Sequence, residues 1–338
     1  MKKMLQICAV ALLWCVSAGA QTTANDNEFW GSADSYLMRQ TVRTLDLVNQ
    51  ALQEYPPMVG NVTARRLALS NLDAILHNTL FDKSEPLMSF VSTRLQQVVA
   101  GLQAPLQCDM AVYKLYNDGF IVRTKSATVA FDVVMGSTYQ YIPDELMAQL
   151  VEQCDILFLS HNHRDHVDPS VVKMFTDRGK PVVAPDEALP DNAQVRHFRQ
   201  EQVADLSVSL PRASLQVKVL PGHQDALQDN IYVVTTPEGL SFAQTGDQYH
   251  ADDIPWIKQL PTQIPAVDVL LINCWAMELQ THVAAFRPKL VITGHENEMG
   301  HTIDHREAYW MSYLKLDALP YNYSLMTWGE CYEYNKGQ

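Results

Sequence analysis

Apolar residues recur every three or four positions from Met38 through Val42, Leu45, Val48 and Leu52 to Tyr55, the spacing of one helical face, and Pro56-Pro57 stops the run. The same period predicts a second helix over Leu67 to Leu80, with Asn61 as candidate cap. A third starts at Ser84 with Pro86 in its first turn and carries Leu87, Phe90, Val91, Arg94, Leu95, Val98 and Leu102 on one face before Pro105 ends it. Past Pro105 the pattern changes to short β-branched runs between turn residues. Strands are expected over Ala111 to Tyr116, Phe120 to Arg123, Thr128 to Val133, Ile156 to Ser160, Pro181 to Ala184, Leu215 to Leu220, Ile231 to Thr235, Leu240 to Ala243, Val267 to Ile272 and Leu290 to Thr293. Helices are expected over Pro143 to Gln153, Pro169 to Arg178, Met277 to Phe286 and Asp304 to Leu316. Strands interleaved with helices predict a layered α/β domain. The expected division is a helical subdomain over residues 30–105 and an α/β domain over 106–338.

The start of the chain has another character. Lys2 and Lys3 precede an apolar run from Met4 to Val16 and the small residues Ala18-Gly19-Ala20, which predicts an export signal over residues 1–20 cleaved before Gln21. Trp14 places a bulky ring where a lipidation motif around Cys15 wants a small residue. No apolar stretch approaches the ~20 residues a spanning helix needs, so no transmembrane span is expected.

Over 338 residues, 47% hydrophobic and 19% charged composition fits a folded globular chain rather than a disordered or fibrous one. Thirty-eight acidic against 25 basic residues give a net charge of −13, and no cluster of Lys and Arg occurs, which argues against nucleic acid as a partner. Of the cysteines beyond the signal, Cys154 and Cys274 flank apolar runs and read as buried thiols; the pairing of Cys108 and Cys331 stays open.

The chemistry gathers in Ser160-His161-Asn162-His163-Arg164-Asp165-His166, directly after a predicted buried strand. Neutral imidazoles and a carboxylate are ligands for zinc and other divalent ions, and a rigid sheet presents strand-end loops at fixed separations. Further candidates stand at later strand ends: His223 after Leu220-Pro221-Gly222, Asp247 after Gln244-Thr245-Gly246, and His295 after Ile292-Thr293-Gly294.

With these residues the sequence resembles the metallo-β-lactamase-fold hydrolase superfamily, whose signature is H-x-H-x-D-H, then a His, an Asp and a final His, with an Asp earlier in the domain. His161, His163, Asp165 and His166 match the first element, His223, Asp247 and His295 the next three, and Asp132 the early Asp. The wording from His161 to Asp168 is most similar to the branch of N-acyl phosphatidylethanolamine phospholipase D and ascorbate-6-phosphate lactonase-like proteins. The resemblance implies a four-layer αβ/βα sandwich preceded here by the helical subdomain. It implies two divalent ions, zinc or else manganese or iron, with His161, His163 and His223 holding the first, Asp165, His166 and His295 the second, and Asp247 bridging. A hydroxide shared by the ions would attack a phosphodiester, lactone or other ester, and Asp132 would orient a ligand from behind. Asp168 before Pro169 reads as a helix cap.

Three rivals remain: a periplasmic metal- or ligand-binding protein without turnover, a β-lactamase, and iron-dependent oxygen chemistry. The lactamases generally lack the bridging carboxylate, and the di-iron relatives place a Glu where His163 stands. His250, His301 and His305 lie near the motif, and His301 is the candidate proton donor alongside Asp165 and Asp247. His77, His197 and His282 read as surface or packing residues, Glu296 and Glu298 share the His295 loop, and Tyr249, Trp256, Trp275 and Met299 are candidates to line a pocket.

Overall fold

The computed structural model describes residues 33–60, 62–136 and 139–337. The expected export signal, its cleavage site before Gln21 and the Asn61 cap lie outside the described residues. Two compact units divide the chain, residues 1–47 and 48–338. The described part of the first is helix, the start of α1 (Ala33–Glu54).

In the second unit, α2 (Thr63–Leu76) and α3 (Glu85–Gln103) precede the sheets. α2 stops short of the expected Leu80 because Asn78 takes over: its side chain accepts from Leu80 N and starts a separate short turn, Thr79–Phe81. α3 has the expected start, with the Ser84 hydroxyl accepting from Leu87 N and Pro in the first turn. Arg94, on its apolar face, is only 3% exposed and donates from Nε to the Trp328 carbonyl at 2.8 Å. Glu330 lies 3.6 Å from Arg94 and receives both terminal nitrogens of Arg65 at 2.8 Å.

Strands β1 (Met110–Lys114), β2 (Phe120–Thr124), β3 (Thr128–Phe131), β4 (Ile156–Phe158), β5 (Val182–Ala184) and β6 (Val195–His197) form one sheet, with β14 (Glu330–Tyr334) beside β1. The other sheet has the order β13 (Tyr323–Ser324), β12 (Leu290–Gly294), β11 (Val269–Asn273), β10 (Ser241–Gln244), β9 (Leu227–Thr235), β8 (Ser214–Gln224) and β7 (Ala204–Ser209). Their facing sides share one core, in which Val122, Phe131 and Phe158 meet Val217, Tyr232, Phe242 and Ile292. Helices α4 (Asp144–Gln153), α5 (Pro169–Asp177), α6 (Ile254–Ile257), α7 (Leu279–Phe286) and α8 (Tyr309–Asp317) complete the expected αβ/βα layering.

All ten expected strands are present, with ends moved by a few residues; β6, β7, β13 and β14 were not expected. Asp168 caps α5, accepting from Ser170 N and Val171 N. The last helix begins at Tyr309 rather than Asp304, for a reason that lies in the site. Cys154 and Cys274 are buried and free as expected, and Cys108 and Cys331 are free as well.

Candidate metal centre

β3 and β4 run parallel, as do β10, β11 and β12, so each sheet brings several carboxyl ends to one edge. Asp132 follows β3, His161 follows β4, Asp247 follows β10 and His295 follows β12. Two of these need unusual backbone: Asp132 and His295 stand at φ 44 and 69, turning each side chain back from its strand. Gly246 is required where it stands, because a Cβ there would lie 2.4 Å from both the Ser160 Cβ and an Asp229 oxygen.

Asp247 is the hub. Its Oδ2 lies 3.3 Å from the Nε2 atoms of His166 and His295 and 3.8 Å from that of His161. Asp165 Oδ2 faces the same two rings, at 3.5 Å from His166 and 3.3 Å from His295. Ligand atoms of Asp165, His166, Asp247 and His295 form one tight group, and those of His161, His163 and Asp247 a second. Asp247 belongs to both, which is the position a bridging ligand occupies. His161, His166 and Asp247 are almost wholly buried, and the Nε2 atoms of His161, His166 and His295 have no hydrogen-bond partner. Three buried, convergent, unpartnered imidazole nitrogens around two carboxylates fit the donor set of a pair of divalent ions.

His223 stands apart from both groups among the described residues. Its ring is 41% exposed, and Nδ1 faces Asp253 at 3.1–3.2 Å, which leaves Nε2 unengaged. A carboxylate behind Nδ1 orients a ring to ligate through Nε2.

Partners behind the cluster fix the remaining rings. Asp132 Oδ2 bonds His166 Nδ1 at 2.9 Å and accepts from Ser160 Oγ and Gln244 Nε2, while its Oδ1 accepts from Ser160 N at 2.7 Å. Asn273 and Gln224 donate to the two oxygens of Asp247, and Asn117 donates to Asp165. Trp275, expected as a pocket residue, instead donates its indole N–H to His295 Nδ1 at 3.0 Å, with Tyr249 packed on the indole. A neutral ring accepting there carries its proton on Nε2, toward Asp165 and Asp247, and ligation would have to displace that proton.

Electrostatics follow from this crowding. Burial, reinforced by the charge of His166, drives His161 well below the usual imidazole range, toward the neutral form a metal needs. Burial opposes charge on Asp165 and Asp247, but neighbouring imidazoles outweigh it and hold both carboxyls well below their usual range.

The loop carrying His295 is gripped from the helical segment. Asp73 on α2 accepts from Asn297 Nδ2 at 3.0 Å and from the backbone of Tyr309 and Trp310, so it anchors the loop and also caps α8. This is why that helix starts late. Arg306 makes two 2.8 Å bonds to Asp82 and donates to the carbonyls of Leu76 and Met299. Beneath the loop, Lys114 pairs with Glu296 in full burial and Tyr116 donates to Glu298. Met299 is fully buried on this loop, so it does not line a pocket as expected.

Burial raises Asp73 to about 6, although its three N–H donors pull the other way. A carboxyl with a raised folded pKa contributes stability that is complete below its unfolded value and is lost as pH rises through about 6. The contribution of Asp73 to the urea midpoint should therefore be lost as pH rises from about 4 to about 6, and Asp73→Asn should remove that component of the profile. An equal slope in both proteins would mean Asp73 does not carry it.

The other histidines divide as follows. The His301 ring lies 5.5 Å from that of His295, and His250 lies 6.0 Å from His223. His305 is exposed beside Asp304. His77 bonds the Arg306 carbonyl, His197 the Ala188 carbonyl, and His282 is buried against Glu278 O, all in packing roles.

No family model matches the sequence, and no curated protein matches it. Solved structures do. Igni18, a metallo hydrolase from the archaeon Ignicoccus hospitalis, is 15% identical with a TM-score of 0.51, covering 67% of this chain and 99% of its own. CmlA, a diiron β-hydroxylase from Streptomyces venezuelae, is 16% identical with a TM-score of 0.51 over 75% of this chain and 63% of its own. A metallo-β-lactamase from Pontibacter korlensis is 19% identical, with a TM-score of 0.33 over 49% of this chain and 87% of its own. At such identities the first two likenesses speak for the fold: two mixed sheets flanked by helices, the metallo-β-lactamase fold.

Proposed function

We propose that this chain is an exported, metal-dependent hydrolase that cleaves a phosphodiester, lactone or other ester. One observation carries the reading: Asp247 Oδ2 stands 3.3–3.8 Å from three buried imidazole nitrogens, two of which also face Asp165. Bound divalent ions would supply Lewis acidity and an acidified water, as a bridging hydroxide, at neutral pH. His161, His163 and His223 would hold one, Asp165, His166 and His295 the other, with Asp247 between. Zinc suits this donor set, and manganese or iron is compatible with it.

The chain's own groups do the rest. Asp132 holds His166 in place at 2.9 Å. His301 is half-buried beside His295, with its backbone N fixed by Glu298 at 2.7 Å, and is assigned the proton donated to the leaving oxygen. The wording from His161 to Asp168 favours the phospholipase D and lactonase-like branch over the β-lactamases, and His163 argues against di-iron oxygen chemistry.

Metal analysis of the purified protein coupled to a substrate panel tests the reading. The expected result is close to two ions per chain, with turnover of a bis-aryl phosphodiester, an aryl ester or a lactone above that of a chromogenic cephalosporin. Failure to bind any transition metal after reconstitution would overturn it. Metal without turnover would mean a binding protein, and metal-dependent oxygen consumption an oxygenase. Export has its own check: mature protein from the native host should begin at Gln21, and an intact Met1 would end that part of the proposal.

A further inference from the structure

Asn273 at the end of β11 lies in register with Gly294 at the end of β12, so the residues just beyond these two strands meet. There the Trp275 indole donates to His295 Nδ1 at 3.0 Å. What stands behind Nδ1 sets His295 apart from the other candidate ligands. Asp132 lies behind His166 at 2.9 Å and Asp253 behind His223 at 3.1 Å, both carboxylates. Behind His161 is the Ser160 hydroxyl at 3.0 Å, whose own proton goes to Asp132, so its oxygen is left to accept. Each of these three rings can keep its proton on Nδ1 and turn a bare Nε2 to an ion, the arrangement metal-ligating histidines use. An indole has only a donor.

A neutral imidazole has one nitrogen that donates and one that accepts, and at His295 two partners need the accepting one. Trp275 takes it at Nδ1. An ion shared with Asp165 and His166 would need it at Nε2, which faces Asp165 and Asp247 at 3.3 Å. We infer that Trp275 is a latch on the second ion site: its indole N–H and the ion compete for the one lone pair of His295. This site therefore loads after that of His161 and His163, and more weakly. The inference rests on the two-ion reading above. When the site loads, the ring gives up its proton at Nε2 and takes one at Nδ1, so it stays neutral. Two donors, Nδ1–H and the indole N–H, then face each other, and the indole has to turn away. The half-buried Trp275 side chain, with Tyr249 on one side, alone has to move, because its backbone N stays bonded to Asn273 Oδ1 at 2.9 Å.

Zinc titration of the full chain, stripped of metal and labelled at its tryptophan nitrogens for NMR, tests this beside calorimetry. The Trp275 indole signal is assigned by its loss in Trp275→Phe. In the wild type that signal should hold its place through the first equivalent of zinc and shift with the second. Trp275→Phe keeps an aromatic ring beside Tyr249 and has no N–H. It should tighten the second zinc about three- to tenfold, the size of one hydrogen bond's net contribution, and leave the first unchanged. Trp275→Gln, whose side-chain carbonyl can accept from Nδ1, should tighten the second zinc as well. An indole signal unmoved with two zinc ions bound, or a second zinc no tighter in either variant, overturns the latch and leaves the two-ion reading standing. No zinc bound by the wild type or by either variant overturns both.

Discussion

Asp247→Ala should lose one ion per chain and at least about a hundredfold in turnover together, given the size of Lewis-acid and positioning effects. The geometry gives the reason. Among the described residues, Asp247 Oδ2 is the one oxygen facing His161, His166 and His295 at once, within 3.8 Å. Removing it takes away the one residue that the two groups of ligands share. Asp247→Asn keeps the shape and the bond from Asn273 but drops the charge that balances two dications, so it should bind metal weakly. Metal per chain and rates on a bis-aryl phosphodiester and a chromogenic cephalosporin, under one metal condition, give the readout. If Asp247→Ala keeps both ions, or prefers the cephalosporin with little loss, Asp247 is not a bridge and the lactamase reading returns.

The second large effect concerns stability. Arg306 and Asp82 form a two-pronged pair with side chains only 2% and 8% exposed. Breaking such a pair from one side strands a buried charge and costs about 3–5 kcal/mol, whereas replacing both partners with apolar residues is far cheaper. Arg306→Met should therefore lower the urea midpoint sharply, and Arg306→Met with Asp82→Leu should recover much of the loss. The single variant should also loosen the loop that carries His295, because the Arg306 side chain grips the Met299 carbonyl. A single variant no less stable than the double one would show that the pair carries no such burden.

Much of the fold was legible because its central strands are apolar runs flanked by turn residues, as in Val269–Asn273 and Leu290–Gly294. β7 alternates buried and exposed positions with small polar residues, and β14 reads Glu-Cys-Tyr-Glu-Tyr, so neither offers a run. The start of α8 was illegible for another reason. Its cap is Asp73, more than two hundred positions away in sequence, and no local signal records a cap donated by another segment. The candidate ligands were legible because their types and their strand-end placement are distinctive. Their supports were not: Asn117, Gln224, Gln244 and Asn273 are ordinary polar residues whose role exists only once two sheets meet.

One carboxylate does more than orient a ring. Asp132 leaves the first sheet at β3, takes the Ser160 amide at the end of β4 and receives Gln244 from β10 of the second sheet. Either sheet peeling away would break this joint, so the ligand cage and the sandwich should open as a single cooperative event. The Ser160 amide proton should then exchange with solvent as slowly as the most protected protons of the core. Bound ion should also shift the unfolding equilibrium by mass action, so the midpoint of cage and sandwich together should rise with metal concentration.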